Sequence, residues 1–277
     1  MTTPTRGVLR RARRRVAVAG CLIAVALAGC GDDDGGGASS DTTSDTTSDD
    51  SMAGDEPVID PGDGGDYRPT LDPATVADRI DNPYLPFLPG SRWVYEGTSS
   101  DGQERIEVTV LDERRSVMGI DAVVVRDTVS MDGEVIEDTY DWYTQDAEGN
   151  VWYLGEETAE YEDGQVVSTE GSWEAGVDGA LPGVVMWAQP RPGQAYRQEF
   201  YRGQAEDLAE VLTVGQQATV AGSTYDDVIV IREWNPLEPD VVEVKSYAPG
   251  VGPVLEKQTA GGDDRVVLAQ HTAGTAG

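Results

Sequence analysis

Histidine is nearly absent from this chain: His271 is the only one in 277 residues. A site that needs two histidines cannot be built, and a Ser–His–Asp relay is disfavoured. Cysteine is almost as scarce. Cys21 and Cys30 are the whole supply, so everything downstream lacks a disulfide, a thiol nucleophile and a thiolate metal site. Positive charge is short as well. Lys and Arg total 20 against 51 Asp and Glu, for a net charge of −31, and only two of the 20 are lysines. Nucleic-acid affinity comes from cations neutralising phosphates, so this charge argues against unassisted binding to nucleic acid. No apolar run reaches the roughly 20 residues that a membrane-spanning helix requires. There is no G-x-S-x-G nucleophile elbow and no strand–G-x-x-x-x-G-K phosphate loop.

What the N-terminus does hold is an address. Residues 1–15 carry six Arg and no acid, and Val16–Ala28 is an unbroken stretch of 13 small or apolar residues. A basic start, a short apolar run and a small-residue cleavage site describe a secretory signal over residues 1–29. The run ends in Leu27-Ala28-Gly29-Cys30. These four residues resemble the lipobox of bacterial lipoproteins at every position. The resemblance implies that Cys30 becomes the lipidated first residue of the mature chain, which places the protein outside the cytoplasm, anchored to the cell membrane. Cys21 lies inside the apolar run and leaves with the signal. Residues 30–66 are then expected to be a tether. Gly31–Asp66 holds 12 acids, no base and almost no large apolar side chain. Such a segment cannot bury enough surface to offset chain entropy. As a flexible coil it would span roughly 30–36 Å.

Residues 67–277 read as a single all-β domain. Apolar and polar residues alternate with period 2 in Arg105-Ile-Glu-Val-Thr-Val-Leu, where Ile106, Val108 and Val110 share a face. In Val242-Glu-Val-Lys-Ser-Tyr, Val242 and Val244 oppose Glu243 and Lys245, and in Ala195–Tyr201, Tyr196 and Phe200 share a face. Val228–Trp234 and Val266–Ala269 are more continuously apolar, as in strands buried on both sides. Asp101-Gly102, Asp132-Gly133, Asp163-Gly164, Ala221-Gly222 and Pro249-Gly250 punctuate these runs as turns. The expected architecture is an antiparallel meander of about a dozen strands forming a sandwich, half-barrel or barrel. One short N-terminal helix is expected near Pro73–Ile80, with Asp72 as its cap and Pro73 at its first position. Gln204–Val214 is balanced between helix and strand, with strand preferred for Val211, Thr213 and their β neighbours. A faint internal repeat also shows. Val123–Asp127 matches Ile229–Glu233, and Asp141-Trp-Tyr143 matches Lys245-Ser-Tyr247, at offsets near 106 to 104.

A second resemblance covers roughly Asp81–Leu268. Asn82-Pro-Tyr-Leu-Pro-Phe-Leu-Pro-Gly-Ser-Arg-Trp-Val-Tyr-Glu looks like the opening of a group of uncharacterised exported proteins of high-GC bacteria. Asp141-Trp-Tyr…Asp146-Ala-Glu-Gly-Asn-Val-Trp-Tyr, Glu170-Gly-Ser-Trp-Glu-Ala-Gly and Tyr247-Ala-Pro-Gly-Val-Gly look like its later blocks. The resemblance implies a shared β fold and brings no assigned activity.

Candidate chemistry is thin. Asp146, Glu148 and Asn150 surround a Gly turn and could offer oxygen ligands to Ca²⁺. The spacing is not that of an EF-hand, since Glu157 falls at the twelfth position without the alternating ligands between. The alternative is a polar hairpin turn. Paired carboxylates could serve a hydrolase, but with 39 acids after residue 66 pairs arise by number alone. The favoured expectation is a non-catalytic, monomeric, membrane-anchored domain without a cofactor. It binds a small apolar ligand in a half-barrel or an envelope protein. A Ca²⁺-dependent adhesion module and a carboxylate hydrolase stand behind it. The ligand version requires a concave face lined by Trp, Val and Leu.

Overall fold

The computed structural model describes residues 67–99 and 102–275. The signal, Cys30, the tether and Asp101 lie outside the described residues. Among the described residues, fifteen antiparallel strands form one sheet. In chain order they are β1 (Arg92–Ser99), β2 (Gly102–Val117), β3 (Ile120–Met131), β4 (Glu134–Gln145), β5 (Val151–Glu162), β6 (Gln165–Ser168), β7 (Trp173–Glu174), β8 (Leu181–Met186), β9 (Ala195–Arg197), β10 (Glu199–Phe200), β11 (Leu208–Val220), β12 (Ser223–Trp234), β13 (Val242–Ala248), β14 (Gly252–Ala260) and β15 (Arg265–Thr272). The segment balanced between helix and strand is β11. The helix expected at Pro73–Ile80 is absent. Asp72 caps a single turn there, accepting from the Ala74 and Thr75 amides at 2.9 and 3.0 Å, and the chain then runs on without helical bonds. The cap and proline are real turn signals, but the 3.6-residue apolar repeat that would carry the helix onward is missing.

Two-residue turns set the hairpins. Asp132-Gly133, Asp163-Gly164 and Ala221-Gly222 all have positive φ at both residues, the conformation whose twist matches the flanking strands. Met118-Gly119 does the same without the Asn or Asp that would announce it. The strand order is β10-β8-β5-β4-β3-β2-β1-β15-β14-β13-β12-β11-β9. Its two ends, β9 and β10, belong to one continuous segment, Ala195–Phe200, with only Gln198 between them. Arg197 pairs with Leu208 on one edge, while Glu199 and Phe200 pair with Pro182 and Leu181 on the other. The sheet therefore curls until the covalent chain, rather than a continuous ladder, joins its edges.

The internal repeat is visible in the pairing register. Val123 faces Tyr143 and Ile229 faces Tyr247. Asp141 then pairs with Glu156, and Lys245 with Glu256. Trp93 lies opposite Val108 on one side, as Tyr196 lies opposite Ala209 on the other. Six strands, β1–β5 and β8, thus match β9 and β11–β15 across a pseudo-two-fold.

The Asn82-Pro-Tyr-Leu-Pro-Phe-Leu-Pro-Gly stretch stops one end of this curled half-barrel, whose edges are joined by the chain alone. Gln145 Oε1 accepts from the Asp81 and Asn82 amides at 3.0 and 2.9 Å. Asn82 Nδ2 donates to the carbonyls of Gly149 and Trp187 at 2.9 and 3.2 Å, and the Gly250 amide donates to the Pro83 carbonyl at 2.7 Å. The two pseudo-equivalent turns are thereby tied to one strap, which inserts Leu85 and Phe87 into the core. On the outer side of β4, the β2–β3 hairpin folds back. Arg115 sits 4.3 Å from the Trp142 ring and donates to Glu174 at 2.8 Å.

The seam tolerates no side chain at residue 183. A Cβ there would collide with the backbone of Gln198 and Glu199. Gly183→Ala is expected to lower unfolding stability by about 1–3 kcal/mol or more, as overpacking does, measured by urea denaturation. A variant as stable as the parent would mean that the seam is not held this closely.

Candidate functional site

The inward faces of the strands are not uniformly apolar. Among the described residues, the buried carboxylates are Glu104, Asp127, Glu137, Asp141, Asp146, Glu156, Glu199, Asp207, Glu233 and Glu256, and the buried cations are Arg197 and Lys245. Strand alternation explains the concentration. On β4 the residues Glu137, Thr139, Asp141 and Tyr143 all point inward, and on β13 so does Lys245. This reverses the expectation for β13. Lys245 is 1% exposed, whereas Val242 and Val244 are only partly buried.

In one half of the barrel the polar interior is closed by charge. Lys245 Nζ lies 2.7 Å from Glu233 Oε2, 3.5 Å from Glu256 and 4.0 Å from Glu243. Tyr247 and Gln198 each donate to Glu233 Oε1 at 3.2 Å. Burial opposes the Lys245 ammonium, but these carboxylates outweigh it and hold the group charged, its pKa well above the ordinary value. Burial pushes Glu256 up, against the pull of Lys245.

In the pseudo-equivalent place of the other half there is no cation. The Tyr153 hydroxyl oxygen lies 2.7 Å from Asp141 Oδ1 and 3.0 Å from Glu156 Oε2. A phenol has one proton to give. Both contacts are hydrogen bonds only when one acid carries a proton and donates it back. Burial supplies that proton by raising Asp141 to about 7 and Glu156 well above its ordinary value, each reinforced by neighbouring carboxylates. The Tyr153 ring stacks on Tyr143 at 4.9 Å and meets Trp173 edge-on at 5.3 Å, which fixes the hydroxyl. Glu199 is raised by burial and by the charge of Asp207, and Asp207 itself is raised to about 8 by burial and Glu233.

Between the halves lies a cavity of about 20 Å³, lined by Leu85, Phe87, Trp93, Tyr95, Val108, Val125, Asp127, Asp141, Val185, Gln198, Tyr247 and Pro253. That is room for about one water. A small organic ligand needs roughly 300 Å³ or more. The Trp and Val lining expected for a ligand pocket is present, but side chains fill it. At the end remote from the strap, burial and like charges raise Glu104 and Glu137 to about 7. Half-buried Glu238, Glu243 and Asp264 belong to the same end, coupled through space to one another or to Glu104.

Asp146, Glu148 and Asn150, the candidate Ca²⁺ ligands, form a hairpin turn instead. Asp146 Oδ1 accepts from the Asn150 amide at 2.8 Å; Oδ2 accepts from Asn150 Nδ2 at 2.9 Å and from Trp152 Nε1 at 2.7 Å. With its oxygens turned to N–H donors and Glu148 exposed, the trio is not gathered around a common point. Among the described residues no group of three or more His, Cys, Asp or Glu could hold a metal ion. His271 stacks on Trp93 at 5.2 Å. The interior acids escaped sequence reading because alternating polar residues look the same whether they face water or a polar core.

No family model and no curated protein matches the chain. Two solved structures are similar. One is described as a candidate exported protein with a YmcC-like fold from Bacteroides fragilis. It shares 15% identity at a TM-score of 0.41, over 69% of this chain and 99% of that one. The other is described as a candidate lipoprotein of Parabacteroides distasonis, with 14% identity, a TM-score of 0.36, and coverage of 67% and 98%.

Raised carboxylate pKa values fix the sign of the pH response. The native state keeps protons that the unfolded chain has released above about pH 4. Stability from this source is full below that pH and is lost as pH rises through about 7 to 8, the range of Glu137, Asp141 and Asp207. Each such proton contributes a slope of roughly 1.4 kcal/mol per pH unit. The melting temperature is expected to fall between pH 5 and pH 8.5, and to fall less steeply in Asp141→Asn. Calorimetry across this range is the check, and a melting temperature that climbs with pH contradicts it.

Proposed function

We propose that this is a lipid-anchored, extracytoplasmic protein whose β head binds a basic segment of an envelope partner and catalyses no reaction. The anchor reading rests on the basic start, the apolar run and Leu27-Ala28-Gly29-Cys30. The observation that carries the reading of the head is that its interior is filled. The strap stops one end, and the cavity that Asp141 lines holds about 20 Å³, with Asp141 and Glu156 both buried. A hydrolase needs both carboxylates beside a substrate, and a carrier needs an open hollow. What remains for recognition is the outside, and its dominant property is negative charge. Glu238 and Asp264 are partly exposed at the end away from the strap, with the more deeply set Glu243 beside them. Such a field draws in cationic partners and disfavours anionic ones.

Two experiments test this reading. Cys30→Ser is expected to move the protein from the membrane to the fluid fraction; continued co-sedimentation with membranes removes the anchor. Binding of an oligolysine peptide to the head is expected to weaken several-fold in the triple variant Glu238→Gln, Glu243→Gln, Asp264→Asn. It should change little in Asp112→Asn, Glu113→Gln, Asp121→Asn, which neutralises the same charge elsewhere on the exposed surface. Equal losses in the two triples mean that net charge alone is being read, and the proposed face is then wrong.

A further inference from the structure

The two buried cations among the described residues are treated very differently. Lys245 is surrounded by carboxylates, as described above. Arg197 is equally buried, at 1% exposure, yet Nε, Nη1 and Nη2 all lack a hydrogen-bond acceptor. Its company is aromatic: the guanidinium carbon lies 4.4 Å from the Phe200 ring centroid and 5.8 Å from that of Tyr67. Cation–π contacts return about 2 kcal/mol when desolvated. Stranding a guanidinium with five unmet donors costs several kcal/mol. Stability alone therefore does not account for an arginine at this position. A methionine would pack in the same volume without the desolvation cost.

The surroundings say how the group could be reached. Tyr67 is the first described residue, where the chain arrives from the acidic segment that precedes the head. It is held by one hydrogen bond from its hydroxyl to the Pro182 carbonyl, at 2.8 Å, and by an edge-on contact with Phe200 at 5.8 Å. Those partners lie on the paired strands β8 and β10 at one sheet edge, while Arg197 lies on β9 at the other, so Tyr67 closes over Arg197 beside the junction of the two edges. Exposed Arg202 also lies 5.8 Å from the Phe200 ring, and adds positive charge to an otherwise acidic surface.

We propose that Arg197 is the receptor of an oxyanion-binding site at the barrel seam, covered by Tyr67 and exposed when that ring swings away. The planar fork of an arginine matches two oxygens of a phosphate or a carboxylate. The ligand class is thus a small oxyanion or an oxyanion-bearing group. This site lies on the opposite charge logic from the basic-partner face and does not depend on it.

The test uses the full-length chain in detergent, with inorganic phosphate or acetate titrated against chloride at constant ionic strength. Phosphate, acetate or both are expected to raise the melting temperature of the parent. Tyr67→Ala should respond at about tenfold lower anion concentration, because the cover no longer competes. Arg197→Met should lose the anion response while melting at or above the parent in chloride. Arg197→Lys, which keeps the charge without the fork, should bind about tenfold more weakly by isothermal titration and serves if the methionine variant does not fold. An Arg197→Met or Arg197→Lys protein that responds to both anions as the parent does would falsify the site. So would a Tyr67→Ala protein indifferent to phosphate and acetate alike.

Discussion

The constraint on which this structure turns is the cost of removing charge from water. A barrel interior that holds many more carboxylates than cations cannot be stable with all of them ionised. Each must find a cation, a set of donors, or a proton. The strand framework decides which. β13 delivers Lys245 into the middle of Glu233, Glu243 and Glu256, and that half of the interior is settled by attraction. β4 and β5 deliver Asp141, Glu156 and Tyr153, and that half is settled by holding protons. The net negative charge of the sequence is therefore not only a solvated coat. Part of it is folded inward, where it acts as neutral acid.

Closure of the sheet follows from the same economy of space. The edges meet at Gln198, whose side chain donates to Glu233 and lines the central cavity. Gly183 must lack a side chain for the backbone there to approach. The strap from Asn82 to Gly90 is polar where it crosses the two turns and apolar where Leu85 and Phe87 enter the core. Its prolines have no amide hydrogen to satisfy, so only a few strap amides, such as those of Asn82 and Gly90, need partners, which Gln145 and Val110 supply. That division of labour gives the most distinctive stretch of the sequence a structural role as a stopper.

Much of the fold was legible in the residues. Alternation in β2, the turn pairs at 132–133, 163–164 and 221–222, and the repeat that matches Val123–Asp127 with Ile229–Glu233 all correspond to features of the sheet. The losses have physical causes. The Pro73 turn carried the start signals of a helix without the apolar stripe to continue it. On β13 the valines looked like the inward face because burial of a lysine is costly unless partners come from elsewhere in the chain, and those partners, Glu233 and Glu256, lie on β12 and β14. Between Tyr196 and Phe200 the assumed alternation fails at Gln198, so that Arg197 stacks on Phe200. The candidate site was invisible for the same reason: it depends on contacts among strands, and no single stretch contains it.

The pseudo-two-fold makes the asymmetry between the halves informative. Asp141 and Lys245 occupy matching positions, each opposite a glutamate on the next strand and an aliphatic residue on the previous one. A lysine in one copy satisfies its neighbours at any pH in the physiological range. An aspartate in the other satisfies them only while it or Glu156 is protonated. The two halves share a backbone plan and differ in what holds their polar centres. Ionisation of the Asp141–Glu156 pair would leave two adjacent buried carboxylates beside the stacked Tyr143 and Tyr153 and the edge-on Trp173. Both halves therefore carry acids that hold protons, Asp141 and Glu156 in the first and Asp207 and Glu256 in the second, but the second alone has a buried cation to offset the charge when those protons leave.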